Sequence, residues 1–223
     1  MTVAGNPARL ANPAIEAEIV QGTENLPVEL ESRQVNQLAT LVGLLAKWNQ
    51  VYNLTAVRDP QDMVARHILD SLVVTPYLRG SSLLDVGTGA GLPGLPLAVA
   101  RPELHVTLLD SSDKKLRFIR QAVAELNLEN VTVVHSRMQA YQPAQAFDMV
   151  ISRAVSSLAE LYRMTRHLVR DNGRFLFMKG ARPNDELDNF ERADQLQIER
   201  LQVPGLDAER HLLILDNSQS PVD

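Results

Sequence analysis

Apolar residues recur at Val35, Leu38, Leu41, Val42, Leu45, Trp48 and Tyr52, the spacing of one helical face sustained over roughly six turns. This pattern predicts an amphipathic helix from about Glu31, packed on a larger body by its apolar stripe. Pro60 then opens a second helix carrying Met63, Val64, His67, Ile68 and Leu72, and Gly80 closes this helical part. From Ser82 the period changes. Apolar runs at 83–86, 106–110, 131–135, 147–152 and 174–178 predict strands, separated by helices over 93–100, 114–127 and 158–170. After a looser segment, 182–193, come two last runs, 197–203 and 211–215, joined by Pro204-Gly205-Leu206-Asp207. So short a connection predicts a hairpin that ends the sheet with an antiparallel strand. The expected fold is α/β: a doubly wound, Rossmann-like sheet of five parallel strands plus this hairpin, with a small N-terminal helical extension.

Residues 1–28 show no sustained period amid Pro7, Pro13 and Pro27, and are expected to form a mobile acidic leader. Residues 29–80 are then a helical cap, 81–216 the main domain and 217–223 a tail.

The first strand ends in Asp85-Val86-Gly87-Thr88-Gly89-Ala90-Gly91-Leu92-Pro93-Gly94. Alternating glycines permit positive φ and let a ligand approach the main chain, so the turn reads as a binding loop. Gly89, Gly91 and Gly94 fit the dinucleotide pattern, whereas Asp85, Gly87, Gly89 and Gly91 fit the loop that binds S-adenosylmethionine. In either case Asp110, ending the second strand, is placed to accept hydrogen bonds from ribose hydroxyls. A pyrophosphate would be opposed by the Asp85 carboxylate; adenosylmethionine carries a sulfonium and an ammonium instead, and Asp85 favours it. The terminal hairpin favours it too, since dinucleotide enzymes usually complete a second βαβ half.

With 223 residues of which 45% are apolar, the chain suits one domain with a modest appendage. It has neither a long apolar span nor a secretory leader, so a cytoplasmic protein is expected. Cysteine is absent, which excludes the cysteine nucleophile of carbon-5 pyrimidine methyltransferases. The five histidines lack ligand spacing, so no metal site is expected. The net charge of −5 lies mostly in residues 1–32, where Arg9 faces Glu16, Glu18, Glu24, Glu29 and Glu31 and the balance is −4. The body is nearly neutral, with basic clusters.

Ligands of such sheets sit outside the carboxyl ends of the strands. The third strand end would bring Met138 and Gln139 beside an adenine. At the fourth, Ile151-Ser152-Arg153-Ala154 stands where amino-group methyltransferases carry an Asn- or Asp-Pro-Pro-aromatic tetrad, leaving oxygen, a ring nitrogen or a small molecule as acceptor. Arg153 there either contacts a ligand or pairs with an acid such as Asp148. His67 and Asp70 lie within one turn, and the plainest reading is that they pair. Lys114, Lys115, Arg117 and Arg120 form one basic cluster. Arg163, Arg166 and Arg170, aligned along the helix predicted over 158–170, lead a second that reaches Lys179 and Arg182. Each is either a solvated face or a phosphate-tracking one.

Lys47-Trp48-Asn49, Tyr52-Asn53-Leu54-Thr55, Arg66-His67-Ile68-Leu69-Asp70-Ser71, the glycine loop, Leu108-Leu109-Asp110-Ser111, Ile151-Ser152-Arg153-Ala154, Lys179-Gly180 and Glu209-Arg210-His211-Leu212 together resemble one family. It is the bacterial small-subunit ribosomal RNA guanine-N7 methyltransferase G family, also called glucose-inhibited division protein B. The resemblance implies methyl transfer from S-adenosyl-L-methionine to N7 of a guanine in 16S ribosomal RNA, in the 530 loop near the decoding centre. The partner would be that RNA or the small ribosomal subunit, met by a monomer with no membrane association. It implies cofactor contacts from Gly87, Leu92, Met138, Gln139 and Arg153, joining Asp85, Thr88, Gly89, Gly91 and Asp110. Arg153, His67 and Asp70 take positioning roles. Arg66, Lys114, Lys115, Arg117, Arg163, Arg166, Lys179, Arg210 and His211 are the RNA-binding candidates. A small-molecule methyltransferase of the same fold and a non-catalytic RNA-associated module are the alternatives.

Overall fold

The computed structural model describes residues 12–153 and 156–217. It begins with a helix that the hydrophobic pattern does not announce, α1 (Pro13–Thr23). Asn12 caps it, its side-chain oxygen accepting from the Ala14 amide at 3.0 Å, and Pro13 supplies a first-turn residue with no amide to satisfy. Ile15, Ile19 and Gly22 form its buried face, with Gly22 lying against Leu69. The expectation of a structureless leader is therefore corrected for 13–23: two large apolar residues are too few to show a period, yet tertiary burial holds the helix. Residues 1–11 lie outside the described part.

Helix α2 (Ser32–Tyr52) starts with a capping box between Glu31 and Gln34 and stops at Asn53, whose φ of 48° is left-handed. After a short loop, α3 (Pro60–Met63) is capped by Asp59, passes into a π-helical stretch over Val64–Leu69, and resumes as α4 (Asp70–Leu72). The main body follows as β1 (Ser82–Val86), α5 (Gly94–Ala100), β2 (His105–Asp110), α6 (Asp113–Glu125), β3 (Val131–His135), β4 (Phe147–Arg153) and α7 (Leu158–Thr165). Then come β5 (Val169–Lys179), α8 (Asn184–Leu187), β6 (Gln197–Leu201) and β7 (Arg210–Asp216).

The seven strands lie in the order β3-β2-β1-β4-β5-β7-β6, with β1 to β5 parallel and β7 antiparallel to both neighbours. This is the expected doubly wound sheet with its closing hairpin. Between β1 and β4 the strand order reverses, and ligands of open α/β sheets bind at the carboxyl edge there. Strand alternation divides the core. On β5, Leu176 and Met178 join α2, α5 and α6 on one face, whereas Phe175 and Phe177 pack with Leu158, Leu161 and Tyr162 of α7 on the other. The N-terminal helices share the first of these cores. No helix among the described residues is long and apolar enough to cross a membrane.

One predicted helix is too long. The segment 158–170 is helical only to Thr165, makes one 3₁₀ turn over Arg166–Leu168, and enters β5 at Val169. Asn172 turns with a φ of 62°, and the β4–β5 register shifts between Phe147 and Met149. Arg170 thus leaves the stripe of Arg163 and Arg166 and pairs with Asp148 at 2.6 Å.

Candidate functional site

Beyond β1 the chain rises into the glycine loop, where Gly87, Gly89 and Gly91 take φ of 65°, 63° and 79°. Asp85 lies beneath that loop, fully buried. Its Oδ2 accepts from the Thr88 hydroxyl at 2.6 Å and the Gly94 amide at 2.9 Å, while Oδ1 has no partner. Burial pushes this carboxyl up to about 6, against the pull of those two hydrogen bonds. Thr88 is buried as well, its amide donating to the Leu109 carbonyl. Asp85 and Thr88 therefore shape the loop from below. Gly91 and Leu92 are packed inward, against Leu95 and into the core respectively.

Above the loop is a cavity of about 440 Å³ lined by Gly87, Leu109, Asp110, Ser111, Lys115, Ser136, Arg137, Met138 and Gln139. Asp110 Oδ2 accepts from the Gly89 amide at 2.9 Å and Oδ1 from the Ser112 amide at 2.8 Å, so the second strand end clamps the glycine loop. Lys115 Nζ stands 4.0 Å from the same carboxylate. At Gly89 an added Cβ would meet nothing closer than 3.9 Å, from Gly87 O and Lys115 Nζ. The main chain is bare there, as close approach by a ligand requires.

A second cavity, about 490 Å³, is lined by Val57, Arg66, His67, Asp70, Arg153, Met178, Lys179, Gly180, Leu201, Arg210 and His211. At its centre Asp70 is buried and bound to two arginines, Arg153 Nη1 at 2.9 Å and Arg210 Nε at 2.6 Å. Arg153 also donates to the Arg66 carbonyl at 3.3 Å. The end of β4, the start of β7 and the helical segment of Arg66 are thereby drawn together. Arg153 reaches this cavity and not the first, and its acid is Asp70 where sequence distance suggested Asp148.

The expected pair of His67 and Asp70 does not form. His67 Nε2 lies 2.8 Å from the Thr55 hydroxyl and Nδ1 2.9 Å from the Arg66 carbonyl. The carbonyl can only accept, so Nδ1 carries the proton and Nε2 takes the hydroxyl's. Burial, with Arg153 nearby, pushes the imidazole down to about 4; it is neutral at pH 7. Thr55 is the functional candidate that sequence reasoning missed; its only signal was its place in the Tyr52–Thr55 segment. Its loop is pinned by Asn49, which accepts from the Thr55 amide and donates to the Val57 carbonyl.

The basic candidates divide into separate places. Arg66, Arg210 and His211 border the second cavity, although His211 Nδ1 is held by the Gly180 carbonyl at 2.9 Å. Lys179 is there too, but its ammonium binds both Glu186 oxygens, at 3.0 and 2.8 Å, and the Ser156 carbonyl. As an RNA contact it is already committed to protein partners. On α6, Lys114 lies over the Tyr52 ring, Lys115 borders the first cavity, and Arg117 and Arg120 pair with Asp113. Arg163 and Arg166 line a groove between α7 and the segment 189–191 that follows α8, with Tyr162 and Phe190. Among the described residues, no group of three or more acidic or histidine side chains could hold a metal ion.

Two buried groups predict opposite responses to acid. Unfolded, His67 takes up a proton below about pH 6.5, whereas in the fold it resists to about 4; its burial therefore removes stability as pH falls through that window. Asp85 is protonated in the fold below about 6 but, unfolded, only near the ordinary 3.8, so its burial adds stability as pH falls through nearly the same range. Urea midpoints at pH 4.5 and 7 are expected to show this: His67→Gln gains relative acid stability over the parent and Asp85→Asn loses it. Parallel shifts in the two variants would contradict the assignment.

A glycine loop after β1 clamped by an acid at the end of β2, on a doubly wound sheet closed by an antiparallel hairpin, defines the S-adenosylmethionine-dependent methyltransferases of class I. Solved structures agree in fold. The S-adenosylmethionine-dependent methyltransferase SibL superposes with a TM-score of 0.57 at 19% identity, over 92% of this chain and 74% of that one. TrmN from Thermus thermophilus superposes with a TM-score of 0.51 at 17% identity, over 69% and 53%. The family model described as rRNA small subunit methyltransferase G matches residues 34–213. Two relatives bear the name ribosomal RNA small subunit methyltransferase G. That of Salmonella arizonae is 50% identical over 86% of this chain and 93% of its own, and that of Ectopseudomonas mendocina 51% identical over 90% and 95%. The chain belongs to this family, and its cofactor is S-adenosyl-L-methionine.

Proposed function

We propose that the chain methylates N7 of a guanine in 16S ribosomal RNA, in the 530 loop near the decoding centre, with the donor in the first cavity and the guanine in the second. The residues present fit the donor. Gly89 leaves the loop open to close approach, Asp110 offers acceptors to ribose hydroxyls, and Met138 and Gln139 give an adenine one apolar and one polar neighbour. The Asp85 Oδ1 atom, a buried acceptor without a partner, would be satisfied by a water or an ammonium reaching the loop. Bound there, S-adenosylmethionine supplies a methyl group made electrophilic by its sulfonium.

The observation that carries the choice of acceptor is the state of the second cavity's ionisable groups. His67 is neutral with its free lone pair taken by Thr55, Asp70 is bound by two arginines, and Lys179 is bound by Glu186. None of these three stands ready to remove a proton, and the cavity's remaining imidazole is His211, whose Nδ1 donates to the Gly180 carbonyl. Guanine N7 needs none, because its in-plane lone pair attacks as it stands, and the protein's task is to hold that nitrogen at near-attack distance. Arg66, Arg153 and Arg210 give the cavity a cationic rim suited to the phosphates flanking the base. N7 lies on the major-groove edge, so the guanine must come from an accessible loop or be splayed from its stack. With a ribosomal substrate the protein works in the cytoplasm.

The test incubates the protein and labelled methyl donor with small subunits from a strain lacking the gene, followed by chemical cleavage at N7-methylguanine. Label at one guanine of 16S RNA is expected, with substrate binding that weakens as salt rises. Label at another atom, or transfer to a small metabolite alone, would overturn the proposal.

A further inference from the structure

The large hydrophobic side chains exposed among the described residues are Val20, Val51 and Tyr52, and two of these three end α2. Val51 is 72% exposed and Tyr52 38%. Tyr52 stacks on Trp48 with centroids 5.1 Å apart, and Trp48 meets Phe118 of α6 edge-on at 5.7 Å, so the aromatic pair is fixed against the body. Lys114 Nζ lies 5.4 Å from the Tyr52 centroid, and Lys47, one helical turn before Val51, is exposed on the same helix. The nearby acid, Asp113, is engaged by Arg117 and Arg120.

The patch borders both halves of the site. Lys115, next along α6, lines the first cavity, and the chain leaving Tyr52 supplies Thr55, which holds His67, and Val57, which lines the second. We propose that Tyr52, backed by Trp48 and flanked by Lys114, is a stacking platform for an unpaired nucleotide of the RNA substrate other than the reacting guanine. This rests on the RNA reading above.

An aromatic face with an ammonium group beside it is complementary to a base and its phosphate, the pairing by which proteins hold single strands without reading sequence. A nucleotide arriving there takes the ring face on which Lys114 rests, and the ammonium moves to the phosphate. A second copy of the chain suits the patch poorly. One valine and part of one tyrosine fall far short of the roughly 800 Å² per partner of a stable interface, and lysines would face lysines.

Trp48 is the chain's single tryptophan and reports on the platform directly. Titration with a short single-stranded oligoribonucleotide is expected to quench its emission. Tyr52→Ala is expected to raise KM for small subunits about tenfold with kcat and donor affinity unchanged, Tyr52→Phe to restore it, and Lys114→Glu to raise it. Unchanged emission on adding RNA, or wild-type KM in Tyr52→Ala, would overturn the platform, as would a dimer that Tyr52→Ala dissociates. A wild-type protein that fails to methylate subunits would overturn the substrate reading instead, while the emission titration still decides the platform.

Discussion

Asp70→Ala is expected to reduce methylation of small subunits by about a hundredfold or more. The Asp70 side chain is 3% exposed and binds two arginines whose side chains are only 21% and 23% exposed. Removing it leaves two guanidinium groups facing each other across a partly buried space with no counter-charge. Breaking a buried pair from one side costs about 3–5 kcal/mol, less here because both arginines reach solvent, so a loss of about 2 kcal/mol is expected. The loss in turnover has a separate cause. Arg153 comes from β4 and Arg210 from β7, and the carboxylate is their common tether to the segment carrying Arg66 and His67. Without it the walls of the second cavity separate, and small misplacements of a reacting atom are costly. The lining of the first cavity does not include Asp70, so donor binding by calorimetry should persist. Turnover near the parental value in a folded variant would show that the clamp only stabilises.

That clamp also marks the limit of what the sequence discloses. Asp70 stands 83 and 140 residues from its two partners, and no local spacing reports a contact that exists only after β4 and β7 have joined the sheet. Sequence proximity instead suggested His67 for Asp70 and Asp148 for Arg153, and tertiary structure overrides both. Lys179 misled for the same reason: its charge is visible in the chain, but its neutralisation by Glu186 depends on α8 folding back.

What was legible rests on periodicity and on glycine. The change from helical spacing at Val35–Tyr52 to short apolar runs after Ser82 carries the sheet, because each strand's core face must be apolar to be buried. Two boundaries escaped. The helix Leu158–Thr165 gives way to a 3₁₀ turn and β5 begins at Val169, the strand then bulging around Asn172, whose left-handed turn is governed by backbone conformation rather than by hydrophobicity. Helix α1 is held by Ile15 and Ile19 reaching a core that the rest of the chain makes. Within the loop, the motif did not separate the residues that build it from those that border its cavity. Asp85 and Thr88 proved to lie beneath, a distinction made by burial alone.

The same distinction yields the sharpest test of where the donor binds, because the loop's glycines fail in different ways. Gly94→Ala would drive its methyl into Leu108 and to 2.8 Å from Asp85 Oδ2, disrupting the hydrogen bond that seats the loop. It is expected to unfold the β1–α5 junction, and loss of donor binding there would say nothing about contact. Gly89→Val has open space around the new Cβ, with nothing within 3.9 Å. Its folding cost is the backbone's alone, about 2 kcal/mol for a side chain held at positive φ. The Gly89 amide, which donates to Asp110, is untouched by the substitution. Donor affinity should nevertheless fall beyond detection, because the added methyls occupy the space through which a ligand reaches the main chain. Gly89→Ala should bind at an intermediate level. A Gly89→Val protein that melts near the parent and titrates S-adenosylmethionine normally would show that the donor does not approach the loop at Gly89.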